Sequence, residues 1–299
     1  KESGIEAHKL LIVQEIRLPR TLLCIAVGGI LGLCGAVMQG LFRNPLADPG
    51  IIGVSGGAAL GAALAIVLLA PLGQQLQSLL GLGLLPLLAF LGGALTTTLV
   101  YLLGTREGGT SVTVMLLAGV AITALSGAVI GLLTYLADDQ MLRNLSLWQM
   151  GSLAAGKPVD VGLALLTLVA LLWLFMRDAN PLNALLLGEG EARHLGVNVQ
   201  SLKRRLILLT AAGVGVAVAV AGIIGFVGLV VPHLVRLLAG PNHVRLLPLS
   251  ALLGAALLLG ADMLARTLLA PAEMPVGIIT ALLGAPFFIW LLVKSRRTL

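Results

Sequence analysis

Apolar residues along this chain come in blocks long enough to cross a bilayer, broken by short polar segments. The blocks fall at about 21–41, 50–70, 82–104, 112–137, 158–176, 206–221, 223–239, 246–265 and 275–293. About 20 apolar residues rising 1.5 Å each cover the hydrocarbon core, so each block is read as a transmembrane helix. The stretch Leu142–Gly156 (LRNLSLWQMGSLAAG) is too short and too polar to cross. It is predicted to be a surface or re-entrant helix at one mouth.

Composition supports this reading. Of 299 residues, 58% are hydrophobic and 11% charged, against roughly 25% charged in a soluble domain. With 38 glycines and only 4% aromatics, closely packed helices fit better than a barrel with aromatic girdles. The predicted class is an all-α polytopic membrane protein, one transmembrane domain over residues 1–299.

The formal charge of +6 reflects membrane orientation rather than nucleic acid, because the basic residues sit in short loops. With the tail Lys294, Arg296, Arg297 in the cytoplasm, alternating spans put twelve basic residues inside: Arg43, Arg106, Arg177, Arg193, Lys203–Arg205, Arg236, Arg245 and the tail. Seven fall outside: Lys1, Lys9, Arg17, Arg20, Arg143, Lys157 and Arg266. The bias supports this orientation. Lys1–Arg20 lacks a signal peptide's apolar core and cleavage site, and an outside start implies one further helix ahead of this chain.

Little catalytic chemistry is visible. No G-x-x-x-x-G-K-[ST] phosphate loop occurs, and GTREGGTS at 104–111 lacks the lysine that would reach a nucleotide phosphate. The chain is therefore not expected to be an enzyme or to hydrolyse ATP by itself. No H-E-x-x-H or C-x-x-C occurs, so no catalytic or metal residue is assigned. Cys24 and Cys34 stand ten positions apart in one span, about 15 Å along a helix and beyond disulfide reach. His8 falls outside and His194 and His243 inside, while His233 reads as a hydrogen-bonded structural residue.

Small residues four apart at Gly28/Gly32, Gly57/Gly61 and Gly127/Gly131 are predicted packing faces. The run Gly222–Gly228 is either a hinge or pathway wall, or a plain turn between helices. Asp262 and Arg266 are one turn apart in favourable order for an ion pair. An intramembrane charge is a functional candidate, with self-neutralisation near the interface as its bland counterpart. Arg17 and Arg20 lie on the side where basic residues are disfavoured, and forked donors aimed at an acidic partner would explain them. The insert 177–205 is an ordinary loop ending in a basic stop-transfer cluster at Lys203–Arg205, or a cytoplasmic docking surface.

Six segments together carry a resemblance: RLPRTLL (17–23), GAVMQGLFRNPLADPGIIGVSGGAALG (35–61), LLAGVA (116–121), LGEGEARHLGVNV (187–199), GFVGLVVPHLVR (225–236) and EMPVGIITALLGAPFFIWLL (273–292). In this order they resemble the permease subunits of bacterial iron-chelate and cobalamin ABC importers, the type II group, and are most similar to haem permeases. The resemblance implies a ten-helix permease, of which about nine helices are present. It implies a multi-pass inner-membrane homodimer with two cytoplasmic ATPase subunits, fed by a periplasmic binding protein.

By the same resemblance, Arg17, Arg20 and Arg266 dock the binding protein. Asn44, Pro45 and Leu46 form a cytoplasmic gate with a second element near Ser111–Thr113, where Ser111 and Thr113 are the named positions. The segment 187–197, through Leu187, Gly188, Glu189, Glu191, Ala192, Arg193, Leu195 and Gly196, couples to the ATPase. No cofactor is expected on this chain; ATP and Mg belong to the partner subunit, and haem is the transported substrate. A ferric siderophore or cobalamin is the alternative cargo. An ion-coupled secondary transporter would need several mid-membrane carboxylates where only Asp262 is available, and a scaffold would need only the glycine packing.

Overall fold

The computed structural model describes residues 12–69, 83–106, 109–154 and 156–295. Lys1, His8, Lys9, Arg296 and Arg297 lie outside the described residues. A π-type turn Ile12–Arg17 leads into α1 (Leu18–Leu41), and a 3-10 turn Pro49–Ile52 precedes α2 (Val54–Val67). Then α3 (Leu84–Gly104) runs through a small antiparallel hairpin, β1 (Thr105–Arg106) and β2 (Gly109–Thr110), into α4 (Val112–Leu136). A short α5 (Asp139–Gln149) precedes α6 (Pro158–Arg177), α7 (Ala179–Leu186) and α8 (Glu189–His194). The chain continues through α9 (Val199–Ala221), α10 (Val227–Ala239), α11 (His243–Thr267) and α12 (Val276–Ser295).

Among the described residues, α1, α3, α4, α6, α9 and α11 are long and apolar enough to cross a membrane, and α2, α10 and α12 are shorter apolar helices. Each apolar block of the sequence thus maps onto one helix, and the protein is a multi-pass membrane protein. The polar stretch expected near 142–156 is α5, whose Asp138 cap accepts a 2.8 Å hydrogen bond from Met141 N–H.

Three boundaries differ from the hydropathy pattern. Helix α9 starts at Val199 rather than 206, because the Asn198 side chain caps it through Ser201 N–H at 3.1 Å and its first two turns are polar. Residues 49–52 form a 3-10 turn ahead of α2 instead of its first turn. Gly222–Gly225 is unwound, and Phe226 enters α10 in the left-handed region at φ 67°.

Helix α1 is the axis of the bundle. Every residue from Ala26 to Leu41 is buried, against α6, α9, α10 and α11. Its contact with α11 closes because Gly28 and Gly254 face each other: a Cβ at either would collide with the other's carbonyl oxygen. Helices in lipid associate by such close packing, since lipid tails offer no hydrophobic incentive to leave them. Gly57 and Gly61 do the same for α2 on α3, whereas none of the described residues lies within 4 Å of a Cβ placed at Gly127 or Gly131.

Candidate functional site

Running about 36 Å, α1 separates two polar ends. At the first, Arg20 is buried between α1 and α11. Its Nε and Nη2 donate to Asp262 Oδ1 at 3.0 and 2.8 Å, and its Nη1 donates to Glu273 Oε2 at 2.7 Å. Asp262 is 1% exposed and also faces Arg266 Nε, 3.1 Å from Oδ2. The predicted Asp262–Arg266 pair therefore forms, and it recruits Arg20 and Glu273 as well. Two guanidinium groups share one buried carboxylate, and half-exposed Glu273 balances the second positive charge.

The three arginines expected to meet an acidic partner take different positions. Arg17 is exposed, Arg266 is partly exposed, and the fork of Arg20 is already occupied. All three line one open cavity of about 670 Å³ with Glu273 on its wall.

At the opposite end, the chain leaves α1 through an exposed turn in which Asn44 Oδ1 accepts Leu46 N–H at 2.9 Å. Asn44 and Pro45 are exposed and Leu46 half-buried. Asp48 then caps the 3-10 turn by accepting Gly50 N–H at 2.7 Å. Burial pushes its carboxyl above the usual range, with the Gly50 N–H pulling the other way. The 3-10 turn packs beside α4, whose N-terminus carries exposed Ser111 and Thr113.

Beside this lies the insert. Its local sequence explains α8: Glu189 and Glu191 occupy the first turn and Arg193 and His194 the last, opposing the helix dipole. Gly196, at φ 82°, ends it with Gly196 N–H bonded to Arg193 O and Val197 N–H to Ala192 O, both 2.9 Å. This is the Schellman pattern, which a side chain at Gly196 would strain. Ala192 is buried as the anchor, while Leu187 and Leu195 stay 68% and 64% exposed. Two exposed leucines beside an open depression of about 350 Å³ lined by Arg193 and Gly196 are an unpartnered surface.

Several residues here escape sequence reasoning. Lys203, taken as part of a stop-transfer cluster, is 3% exposed and donates to Glu189 Oε1 at 2.6 Å and Thr110 O at 3.2 Å. Helical spacing was the available signal, since Val199, Leu206 and Thr210 share its buried face. Arg205 pairs with Asp178 at the end of α6. His243 Nδ1 sits 2.9 Å from Asn183 Oδ1, which also accepts the His243 N–H at 2.8 Å. His233 departs from expectation: its Nε2 is buried without a hydrogen-bond partner among the described residues, and its ring packs edge-on to Phe287. Cys24 and Cys34 are free and buried.

The FecCD transport family model matches residues 2–294. The chain is 51% identical over 286 residues to the hemin transport system permease HmuU of Yersinia pestis, covering 95% of this chain and 83% of that protein. It is 45% identical over 289 residues to the cobalamin import permease BtuC of Halobacterium salinarum, covering 97% and 75%. A solved structure described as an inward-facing metal-chelate type ABC transporter superposes with a TM-score of 0.85 at 37% identity, covering 97% and 89%. The PsaBC structure from Streptococcus pneumoniae, at TM-score 0.65 and 19% identity, covers 95% and 94% and shares the fold.

Proposed function

The chain belongs to the FecCD transport family and is a permease of the ABC importer type, and from that premise we propose that it carries haem across the inner membrane into the cytoplasm. The reading rests on the similarity to a hemin permease along nearly the whole chain. In this proposal a binding protein outside delivers haem to the arginine end, and a separate ATPase subunit, using ATP and Mg, engages the opposite end. Haem passes as cargo, without a resident site on this chain.

The residues at the two ends support the arrangement. Arg17 and Arg266 present positive charge around the cavity to an acidic partner, while buried Arg20 positions Asp262 and the α11 terminus from behind. Leu187 and Leu195 with the polar groups of α8 form the ATPase contact, and Asn44–Leu46 and Ser111–Thr113 flank the inner opening as gate elements.

A second identical copy would cover the face of α4 that carries Gly127 and Gly131. This helix is the least buried of the six long ones and exposes Leu117, Val120, Leu125 and Leu132. Small residues on an apolar helix face let a second backbone approach closely. The ion-coupled alternative draws no support from Asp262, whose carboxylate is engaged by two arginines.

Reconstitution tests the cargo. Liposomes containing the permease with its ATPase and binding protein are expected to import hemin in an ATP-dependent manner. Entry of a ferric siderophore or cobalamin without hemin would replace the haem reading; the cobalamin case has its own support in the 45% identity to a cobalamin permease. Uptake driven by an ion gradient without ATPase would overturn the class.

A further inference from the structure

The Lys203 ammonium joins three elements at the inner end. It belongs to the first turns of α9, binds Glu189 of α8 at 2.6 Å, and binds the Thr110 carbonyl of β2 at 3.2 Å. A second clasp lies beside it: Thr110 N–H donates to Gln200 Oε1 at 3.0 Å, and Gly109, at φ 111°, leaves its missing Cβ to the Gln200 amide. The hairpin is closed behind this point by the Thr105–Thr110 hydroxyl pair at 3.1 Å and by Ser111 N–H on Gly104 O at 2.8 Å. Ser111 is the cap of α4. From Glu189 to the first turn of α4 there is thus an unbroken chain of short polar contacts.

We infer that Lys203 is a positioning residue that transmits displacement of α8 to the N-terminus of α4. The inference rests on the proposed ATPase contact at α8 and adds the route by which its motion reaches the gate. A buried ammonium must keep acceptors, since withdrawing either one strands a charge away from water. Movement of Glu189 therefore carries Lys203 and Thr110 with it rather than breaking the bridge. The neighbouring Glu189–Arg193 pair, at 3.9 Å with Arg193 59% exposed, lacks this property because water screens both groups. The receiving element suits the role, as α4 is the long helix least held by its own chain.

The test is a thiol-labelling experiment on the permease–ATPase complex in nanodiscs. Thr113→Cys reports on the first turn of α4, and buried Cys24 and Cys34 give little background. Maleimide labelling of this parent is expected to differ about threefold or more between nucleotide-free and ATP-plus-vanadate states, as for a shift in gate population. Lys203→Met should bring that ratio close to one while the ATPase subunits stay bound and hydrolyse ATP, and Lys203→Arg should restore it. A ratio unchanged by Lys203→Met overturns the inference. Loss of the ATPase from the parent, or a parent ratio of one, instead overturns the contact at α8 and with it the route. Should Lys203→Met yield no folded complex, Glu189→Gln weakens the acceptor that ties Lys203 to α8: with the ATPase still bound, a ratio cut by about half supports the route, and an unchanged ratio refutes it.

Discussion

Arg20 and Asp262, 242 positions apart, form a buried ion pair that joins α1 to α11 through both Nε and Nη2 of the guanidinium. Removing one partner strands the other. Asp262→Ala leaves Arg20 and Arg266 facing each other and is expected to destabilise the protein by about 3–5 kcal/mol, the usual cost of breaking a buried pair. The double variant Arg20→Met/Asp262→Leu should cost less than the two single changes summed, because no unpaired charge stays buried and Arg266 can turn to water. Thermal unfolding in detergent of the wild type, Asp262→Ala, Arg20→Met, Asp262→Leu and the double variant checks this; a harmless Asp262→Ala would show that water reaches the pair.

Exposed charges act differently. Arg17→Glu is expected to weaken capture of the binding protein by about fivefold at low salt, the upper range for one exposed ion pair. The effect should shrink as ionic strength rises and leave basal ATP hydrolysis unchanged. Surface plasmon resonance at two salt concentrations measures the binding, and phosphate release measures the hydrolysis. Arg20→Glu and Arg266→Glu should instead lower the yield of folded protein, since either new charge would face buried Asp262.

At the inner end, the double substitution Leu187→Asp/Leu195→Asp is expected to release the ATPase subunits from the solubilised complex while the permease stays monodisperse. Both leucines are largely exposed, so their replacement removes little buried packing. Deletion of 188–196 should also release the ATPase, but it removes the Glu189 acceptor of buried Lys203 and is expected to lower the yield of folded permease. Retention of the ATPase on affinity purification after either change would sink the coupling assignment.

Two glycines separate intrachain packing from pairing of copies. Gly28→Val drives a side chain into the Gly254 carbonyl and should destabilise by about 1–3 kcal/mol or prevent folding. Gly127→Val meets nothing among the described residues of its own chain. It is expected to leave the melting temperature of the single chain intact while shifting light scattering from dimer towards monomer. A dimer unaffected by Gly127→Val places the contact between copies elsewhere.

The order and type of the helices were legible in the residues alone. Blocks of about 20 apolar residues admit few structures in lipid, because every backbone N–H and C=O must be satisfied within the segment. The caps at Asp138 and Asn242, the Glu-to-Arg polarity of α8 and its Gly196 stop are also local effects of neighbouring residues, but hydropathy blocks passed over them. Segment motifs also carried the family, since RLPR, NPLADPG and LGEGEARHLGV keep their order along the chain.

What the tertiary structure alone decided is which of the similar-looking charges are sheltered and by whom. Arg17 and Arg20 are the same residue type three positions apart, yet one meets water and the other is enclosed with Asp262 and Glu273. Lys203 and Arg204 are adjacent, yet only Lys203 turns inward to bind Glu189 and Thr110. Hydropathy sums over a segment and is blind to direction around the helix. The energy of a charge depends on the dielectric and the acceptors at one point in space, and residues distant in the chain supply both.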